Sequence, residues 1–219
     1  MHTTITLMIR SDGFNRESDM KKEDESGLLG KMAVAIKYIE SCGEFARLVP
    51  EVRTNLVFAR ENPEGPQDVV AVDGRITVVD GMPRAAGRAK FGASSHMARL
   101  LIALNEVHPE IRSGINFASN PQLSRWLKGY CEEKGWTFSL IDRKNEPQHV
   151  KEREGASMRW KAGEAIRKAA GKVPKLFYET GAVGKEPVSV LVGTDPTQVT
   201  EEVCELAREY ARHQAGQRR

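Results

Sequence analysis

Two short apolar runs flank the dipeptide Asp73-Gly74, and this arrangement constrains the fold more than any other feature of the sequence. The runs are DVVAV before the dipeptide and RITVV after it. An Asp-Gly pair between two such runs predicts a type I′ turn, which joins neighbouring antiparallel strands. We therefore expect antiparallel pairing, which excludes an all-parallel sheet.

Helical and strand patterns alternate along the rest of the 219 residues. Apolar residues recur at helical spacing over residues 28–39, where Gly43 follows as a C-cap glycine, and again over residues 97–107. Asn120 and Pro121 predict the start of a further helix, because asparagine caps exposed N–H groups and proline fits the first helical position. Two more helices are predicted at about 162–170 and 196–213, and strands at TNLVFA, RSGINFA, WTFSLI, KLFYE and PVSVLVG. Together with the hairpin, these alternations favour an α/β domain with a mixed sheet.

The charge balance and the cysteine count argue against several classes of protein. The sequence has 33 Lys plus Arg against 30 Asp plus Glu, a net charge of +3 with both signs mixed along the chain, so nothing calls for a nucleic-acid partner. Its three cysteines lie far apart, which is typical of neither a disulfide framework nor a zinc site. The longest apolar runs are far shorter than a membrane span. We expect a cytoplasmic protein without nucleic-acid or membrane partners.

The pattern divides the chain into three parts. Residues 1–26 indicate a leader and solvated linker that is partly disordered. Thr3, Ile5, Leu7 and Ile9 hint at a short strand, and residues 10–26 are charged and nearly without apolar side chains. Residues 27–44 form a helical extension, and residues 45–219 form the main domain. The apolar stripe of the extension needs a surface to cover it, and a second subunit in a homodimer is one candidate.

The stretch FGASSHMARL, residues 91–100, joins a glycine and two serines to the start of an amphipathic helix. The first turn of a helix has unpaired N–H groups and a partial positive charge, which together favour a bound phosphate. Gly92 permits close approach of the backbone, and Ser94 or Ser95 either caps the helix or donates to a phosphate oxygen. The residues leave open the choice between an anion site and a well-capped helix.

His96 lies off the apolar stripe of that helix, so we do not expect it in the core. The positive helix end disfavours its protonation, which predicts a neutral imidazole that donates one hydrogen bond and accepts another. The preceding loop supplies Arg84, Arg88 and Lys90, which are either close to the helix end or solvated cations.

A glycine-rich loop, ETGAVGKEP, places Gly181 and Gly184 around Lys185 between two predicted strands. Such a loop either forms a nest of backbone N–H groups around an anion, with Lys185 as the point charge, or is an ordinary hairpin loop.

Seven stretches of the chain together resemble the ThiN family, thiamine-phosphate synthase domains found mainly in archaea and some bacteria. In the order of the family they are FARLVPEVRTNLVFA, DVVAVDGRITVV, FGASSHMAR, EIRSGINF, DRKNEP, EGASMRW and ETGAVGKEP, and they span residues from about 45 to 195. The resemblance implies a three-layer α/β/α sandwich around a mixed, mostly antiparallel sheet, similar to class II aldolases and epimerases. It also implies a catalytic pair, Arg75 after the Asp-Gly turn and His96 in the GASSH segment.

The same resemblance implies a reaction between two phosphorylated substrates. ThiN enzymes join hydroxymethylpyrimidine diphosphate to hydroxyethylthiazole phosphate, forming thiamine phosphate and releasing pyrophosphate. The amino group of the pyrimidine can expel the leaving group, and the thiazole nitrogen then captures the resulting cation. We assign Arg75 to the departing pyrophosphate, because a guanidinium is always charged and binds phosphate at two points. His96 either binds the thiazole phosphate or donates to the leaving group.

Further residues are expected around these substrates. The candidates for substrate binding are Gly92, Ala93, Ser94, Ser95, Asn116, Gly184 and Lys185. Asn116 either bonds the aminopyrimidine or caps a strand end. Mg²⁺ is expected as the counterion of the diphosphate, held mainly by phosphate and water. Asp142 and Glu186 are its candidate protein ligands, with structural ion pairs as the alternative.

Two other functions compete with a synthase. A sensor would bind thiamine phosphate in the same pocket and report it to DNA or to a partner, but residues 1–26 offer no helix-turn-helix for this role. A metal-dependent aldolase would need a His-x-His pair, and the five histidines contain none.

Overall fold

A computed structural model describes residues 24–153, 155–182, 184 and 186–217. Most of the predicted leader therefore lies outside the described residues. The helices are α1 (Glu25–Glu40), α2 (His96–Asn105), α3 (Pro121–Lys134), α4 (Gln148–Glu152), α5 (Ala156–Lys168) and α6 (Pro196–Gln217). The strands are β1 (Leu56–Ala59), β2 (Val69–Val72), β3 (Ile76–Val79), β4 (Met82–Ala85), β5 (Ala89–Phe91), β6 (Ser113–Ala118), β7 (Phe138–Ile141), β8 (Leu176–Glu179) and β9 (Val188–Gly193).

Seven of these strands form one sheet in the order β5-β2-β1-β6-β9-β8-β7. The neighbouring pairs are antiparallel except β7 and β8, which run parallel. Strands β3 and β4 form a separate antiparallel ribbon. The predicted mixed, mostly antiparallel sheet is confirmed.

Helices cover both faces of the seven-stranded sheet. Along β1, Leu56 and Phe58 face one cluster of buried side chains, while Val57 and Ala59 face another, because successive side chains of a strand point to opposite faces. The first cluster contains the buried residues of α1, α3 and α6, and the clusters on the other face contain those of α2 and α5. The three-layer α/β/α arrangement is thereby confirmed.

Helix α1 is part of the core of this domain. It packs mainly against α6, and its stripe is buried. The buried residues of the stripe are Leu28, Met32, Ala35, Ile36 and Ile39. The chain itself therefore covers the stripe, and no second subunit is needed to bury it. The homodimer stays a prediction, but the stripe no longer supports it.

The end of α1 differs from the prediction. Gly43 is not a C-cap glycine, since the helix ends at Glu40 with Ser41 as its cap in a right-handed conformation. The chain then continues into a 3₁₀ helix that begins at Gly43. Cys42, between the two helices, has φ −95° and ψ 86°, so the chain changes direction there without a left-handed residue.

The Asp73-Gly74 turn does not close a hairpin, so this prediction is wrong. Strand β2 pairs with β1 and β5, whereas β3 pairs with β4. Gly74 has a positive φ of 73° and Asp73 does not, which is the pattern of a type II turn rather than a type I′ turn. The turn leads the chain off the sheet. The type I′ pattern occurs at Asp80-Gly81, where both φ values are positive, 50° and 74°, between β3 and β4.

The predicted start of α3 is confirmed. The side chain of Asn120 accepts a hydrogen bond from the N–H of Leu123 at 2.8 Å, and Pro121 is the first residue of the helix. Gly135 ends the helix in a left-handed conformation with φ 66°.

No helix in the described part of the chain has an apolar stretch of the length that a membrane span needs. The 22 residues of α6 include Glu201, Glu202 and Arg208, and its apolar side chains form a stripe that packs in the core.

Candidate active site

A cavity of about 310 Å³ lies on the side of the sheet that α2 and α5 cover. Its apolar lining consists mainly of Met97 and Leu100 of α2, Met158 of α5, and Val188 and Val190 of β9. Polar and charged side chains from several other segments complete the lining. An apolar cavity with a few converging polar groups is the common form of a small-molecule site.

Strand register brings polar residues from different strands to this cavity. Asn116 of β6 pairs with Val190 of β9, and its backbone N–H donates to the carbonyl oxygen of Asn55, directly before β1. Glu179 at the end of β8 pairs with Val188 at the start of β9. Because paired residues on adjacent strands lie close together, these side chains line one cavity although they are far apart in sequence.

Arg75 lies at the cavity wall, in the turn that follows β2. Its backbone is left-handed, with φ 70°, and for a residue with a Cβ atom this conformation costs about 1–2 kcal/mol. The guanidinium donates through Nη1 to the carbonyl oxygen of Val52. In the opposite direction, the guanidinium of Arg53 donates to the carbonyl oxygen of Gly74 at 3.4 Å. These two contacts tie the turns together and hold Arg75 at the cavity.

Asn116 fixes the same segment from the side of the sheet. Its Oδ1 accepts a hydrogen bond from the N–H of Asn55 at 2.8 Å, and its Nδ2 donates to the carbonyl oxygen of Arg53 at 3.2 Å. The side chain is buried and lines the cavity. Of the two roles that the sequence left open, these bonds favour a structural one, in which Asn116 holds the segment before β1 that contacts Arg75.

The two candidate metal ligands bind other groups of the protein. Glu186 lines the cavity and accepts hydrogen bonds from the backbone N–H groups of Glu51 and Val52, at 3.1 and 2.6 Å. Asp142 is not among the residues that line the cavity. Its carboxylate accepts from the N–H of Lys144 at 3.0 Å and closes a 3₁₀ turn. Both carboxylates thus have structural hydrogen bonds, although with backbone N–H groups rather than in the ion pairs that the sequence suggested.

His96 is the first residue of α2; it is exposed and lines the same cavity as Arg75. Its predicted position outside the core is confirmed. Ser94, two residues earlier, also lines the cavity and is buried. The two proposed catalytic side chains therefore come from different elements and converge on one cavity, although their roles stay predictions.

The other residues of the GASSH segment do not line the cavity. The side chain of Ser95 makes no capping bond, and its hydroxyl instead accepts from Nη1 of Arg99. Ala93 packs against the apolar cluster beneath α2. Gly92 has a φ of 71° and turns the chain between β5 and the helix. The geometry therefore does not support direct contacts between a substrate and Gly92, Ala93 or Ser95.

The basic loop before α2 also lies away from the cavity. Arg84 donates to the carbonyl oxygen of Glu40 at the end of α1, at 3.0 Å, while Arg88 and Lys90 are exposed. None of these three cations is among the residues lining the cavity. The reading of Arg88 and Lys90 as solvated cations is therefore the better one, and Arg84 has a structural role.

Gly184 lines the cavity with φ 70°, in the loop that joins β8 to β9. Lys185, the other residue predicted from this loop, lies outside the described residues. The antiparallel pairing of β8 and β9 confirms that the loop connects two neighbouring strands.

Four buried charged residues form a cluster beside the cavity that the sequence analysis did not single out. They are Arg143, Glu146, Lys161 and Glu179, with 5%, 4%, 6% and 8% of their surfaces exposed. Nζ of Lys161 lies 2.5 Å from Oε2 of Glu179, and Nη1 of Arg143 lies 3.3 Å from the same oxygen. Arg143 also contacts Oε2 of Glu146 at 2.8 Å, and the hydroxyl of Ser157 donates to Oε1 of Glu146. Two cations and two carboxylates thus balance their charges in a buried network.

Burial dominates the electrostatics of Lys161. Desolvation lowers the pKa of its amine, and the nearby carboxylate of Glu179 opposes this effect. Removing one member of such a pair would leave an uncompensated buried charge, which typically costs about 3–5 kcal/mol. The ion pair therefore maintains a charged lysine where the surroundings disfavour it.

Two residues of this cluster, Lys161 and Glu179, could have been identified from the sequence as charged residues at buried positions. Lys161 stands within the buried stripe of α5, between Met158 and Ala165, and Glu179 ends the buried strand LFYE. A charged residue at a position patterned for burial is rarely accommodated without a partner. The sequence does not show that these two residues are partners, because 17 residues separate them and they lie on different elements.

The described residues do not form a resident magnesium site. No group of three or more His, Cys, Asp or Glu side chains among them is arranged to hold a metal ion. Of the carboxylates that line the cavity, Glu179 contacts two cations and Glu186 accepts from two backbone N–H groups. Both carboxylates have partners within the protein, so the described residues give no support to a Mg²⁺ ion held by protein ligands alone, and magnesium stays a prediction.

Comparison with known proteins gives one consistent result. The family model described as Thiamine-phosphate synthase ThiN matches residues 31–205. Thiamine-phosphate synthase ThiN of Methanothermobacter thermautotrophicus is 44% identical over 176 residues, which are 80% of this chain and 90% of that protein. The bifunctional thiamine biosynthesis protein ThiDN of Methanocaldococcus jannaschii is 32% identical over 74% of this chain, which spans 37% of that longer protein. The crystal structure of the C-terminal domain of a phosphomethylpyrimidine kinase superposes with a TM-score of 0.78 at 32% identity, covering 84% of this chain and 100% of that one.

Proposed function

This chain belongs to the ThiN family of thiamine-phosphate synthases, and on that basis we propose that it joins hydroxymethylpyrimidine diphosphate to hydroxyethylthiazole phosphate in the cavity described above. It is a transferase, and the products are thiamine phosphate and pyrophosphate. The observation that carries the assignment of the site is that Arg75 and His96, which lie on separate elements, line one apolar cavity.

The reaction needs no covalent enzyme intermediate. The bond between the hydroxymethyl carbon and the diphosphate breaks, and its electron pair leaves with pyrophosphate. The pyrimidine amino group supplies electron density to the carbon that is left, and the lone pair of the thiazole nitrogen then forms the new C–N bond. The protein contributes by holding the two substrates in line and by stabilising the charge that grows on pyrophosphate.

Arg75 is suited to the growing charge on the leaving group. Its guanidinium is held from one side by the carbonyl oxygen of Val52, so its orientation does not have to be fixed when the substrate binds. A fixed, permanently charged donor stabilises a transition state more effectively than a mobile one, because no reorganisation is required during the reaction.

His96 stands at the positive end of α2, close to where a phosphate is stabilised by the helix. Its imidazole either binds the phosphate of the thiazole substrate or donates to the leaving pyrophosphate. Ser94, two residues before His96, lines the cavity and is a second donor on this side. In both cases the role of His96 is to bind and orient an anion.

Magnesium is proposed as a companion of the diphosphate substrate rather than as an ion held by the protein. Hard cations of this kind keep several water ligands and bind phosphate oxygens directly. No step of the mechanism above is routed through the metal.

The proposal is tested by the variants Arg75→Ala and His96→Ala. We expect kcat/KM for thiamine phosphate formation to fall about 10²- to 10³-fold in each, which is the usual loss when one charge-stabilising donor is removed. Pyrophosphate release in a coupled assay with both phosphorylated substrates measures this directly. The matched control is Arg88→Ala, an exposed arginine that does not line the cavity, and it should keep the wild-type value.

Two results would contradict the proposal. Near-wild-type kcat/KM in both variants would show that the assignment of the pair is wrong. A wild-type protein that binds thiamine phosphate tightly, releases no pyrophosphate from the substrates and shifts promoter DNA in a salt-dependent manner would instead be a sensor.

We also propose a cytoplasmic location. The support is that Cys42, Cys131 and Cys204 are all free thiols and all buried. Unpaired thiols are typical of proteins that work in a reducing compartment.

A further inference from the structure

We infer that Glu179 recognises the amino group of the pyrimidine substrate by accepting a hydrogen bond from it through Oε1. The inference rests on the proposed synthase function, and it concerns a residue for which the sequence motifs gave no role. Three features of the structure support it: the direction of the side chain, the clamping of one carboxylate oxygen and the apolar character of the surrounding cavity.

The direction of the side chain follows from the strand. Phe177 of β8 packs in the cluster on the α2 and α5 side of the sheet. Side chains two residues apart on a strand point to the same face, so Glu179 also points to that side, where it lines the cavity. Glu179 is the last residue of β8, and the cavity begins there.

One oxygen of the carboxylate is clamped and the other is not. Within the described residues, both cations of the cluster bind Oε2, with Lys161 at 2.5 Å and Arg143 at 3.3 Å. The two contacts hold Oε2 on the protein side. Oε1 is therefore the oxygen through which Glu179 can accept a hydrogen bond from a ligand in the cavity.

The pyrimidine substrate carries a hydrogen-bond donor that matches an acceptor at Oε1 of Glu179. Met97, Leu100 and Met158 provide an apolar wall suited to a flat ring, and an ionised carboxylate can only accept hydrogen bonds. The pyrimidine amino group is a donor, and it gains positive charge as the diphosphate departs. A buried carboxylate stabilises that charge more in the transition state than in the ground state. Glu179 thus acts on binding and on rate through the same contact.

The variant Glu179→Gln gives a sharp test, because the clamp dictates how the amide is oriented. Lys161 and Arg143 can only donate, so the amide oxygen takes the place of Oε2 and the amide NH₂ faces the cavity. The cavity then presents a donor where the wild type presents an acceptor. The variant should therefore lose its preference for an amino group and tolerate a carbonyl at the same ring position.

The experiment compares the binding of thiamine phosphate with that of its 4-oxo analogue, in which a carbonyl replaces the amino group, by calorimetry. We expect the wild type to prefer thiamine phosphate by about 10- to 100-fold, as a hydrogen bond to a charged group provides. In Glu179→Gln this preference should fall to about threefold or less, or reverse. The control is Glu164→Gln, a carboxylate of α5 that is paired with Arg167 and does not line the cavity, which should keep the wild-type preference.

A second variant separates a loss of recognition from a loss of folding. If Glu179→Gln alone leaves the buried Lys161 poorly compensated, the double variant Glu179→Gln with Lys161→Met removes that charge, and the same loss of preference is expected. Equal weakening of both ligands, with the preference retained, would overturn the inference and leave Glu179 a structural role. The synthase function fails by a different result, the absence of thiamine phosphate formation by the wild type, so the two failures are distinguishable.

Discussion

Arg75 combines an unfavourable backbone conformation with a side chain at the cavity. Its φ of 70° follows a glycine that also has a positive φ, so two consecutive residues are left-handed. Glycine adopts this conformation without a steric penalty, whereas a residue with a Cβ atom does not. A strained residue persists where its side chain has a use, and here the guanidinium reaches both Val52 and the cavity.

This strain predicts an unusual order of stability among variants. Arg75→Gly and Arg75→Ala lose the same side-chain contact, but only glycine relieves the backbone. We expect Arg75→Gly to have the higher free energy of unfolding, by about 1 kcal/mol, as measured by urea denaturation. Both variants should show the same fall in kcat/KM, about 10²- to 10³-fold, because both lack the guanidinium.

The matched pair for this prediction is Arg88→Gly and Arg88→Ala. Arg88 is exposed and has no positive φ, so alanine should be the more stable residue there, by about 0.5–1 kcal/mol. The same order of stability at both positions, with alanine above glycine, would contradict the presence of strain at Arg75.

At the scale of elements, helix α1 makes a larger contribution than a terminal extension would. Met32 is fully buried against the sheet layer, while Val34 on the opposite side of the helix is 57% exposed. Met32→Ala should lower the free energy of unfolding by about 2–5 kcal/mol, because a large buried side chain is lost and a cavity remains. Thermal or urea unfolding measures the difference.

The control for α1 is Val34→Ala, which should change the free energy of unfolding by no more than about 0.5 kcal/mol. Helix α1 lies on the face of the sheet opposite the cavity, so kcat/KM at a temperature where Met32→Ala is folded should stay at the wild-type value. Similar stabilities of the two variants would mean that α1 packs more loosely than the buried stripe indicates.

The helices were more predictable from the sequence than the pairing of the strands. The stripe of α1 and the cap at Asn120 are local patterns, and each is confirmed within a few residues. Two Asp-Gly pairs stand seven residues apart, and nothing local distinguishes the type II turn at Gly74 from the type I′ turn at Gly81. What decides between them is which strands pair with β2. These are β1 and β5, and β5 is a three-residue strand that has no clear pattern of its own.

The candidate site likewise contains residues that the sequence could identify and residues that it could not. The motif at His96 and the turn at Arg75 are continuous in sequence, so a resemblance to a family could identify them. The cluster around Glu179 could not be read in this way, since its ion pairs join a strand end to α5 and to the 3₁₀ turn at Arg143. Such contacts are determined by packing between elements, which a single sequence does not show.

At the scale of the whole molecule, the cavity depends on most of the chain. Its lining extends from Val52 to Val190 and includes residues of α2, α5, β6, β8 and β9. A ligand in this cavity binds the folded state and not the unfolded chain, so it stabilises the entire domain by mass action. Stability in the presence of a ligand therefore reports on the intact site.

Pyrophosphate, one product of the reaction, provides this test. At about 100 times its dissociation constant it should add about 2.7 kcal/mol to the free energy of unfolding, which for a protein of this size raises Tm by about 5–10 °C. In Arg75→Ala, where the loss of a charge-assisted bond weakens binding about 10- to 100-fold, the same concentration should raise Tm by only about 1–5 °C. The control is Lys134→Ala, which removes an exposed ion pair with Glu205 and should retain the full shift. Equal shifts in the wild type and Arg75→Ala would place the pyrophosphate contact elsewhere in the cavity.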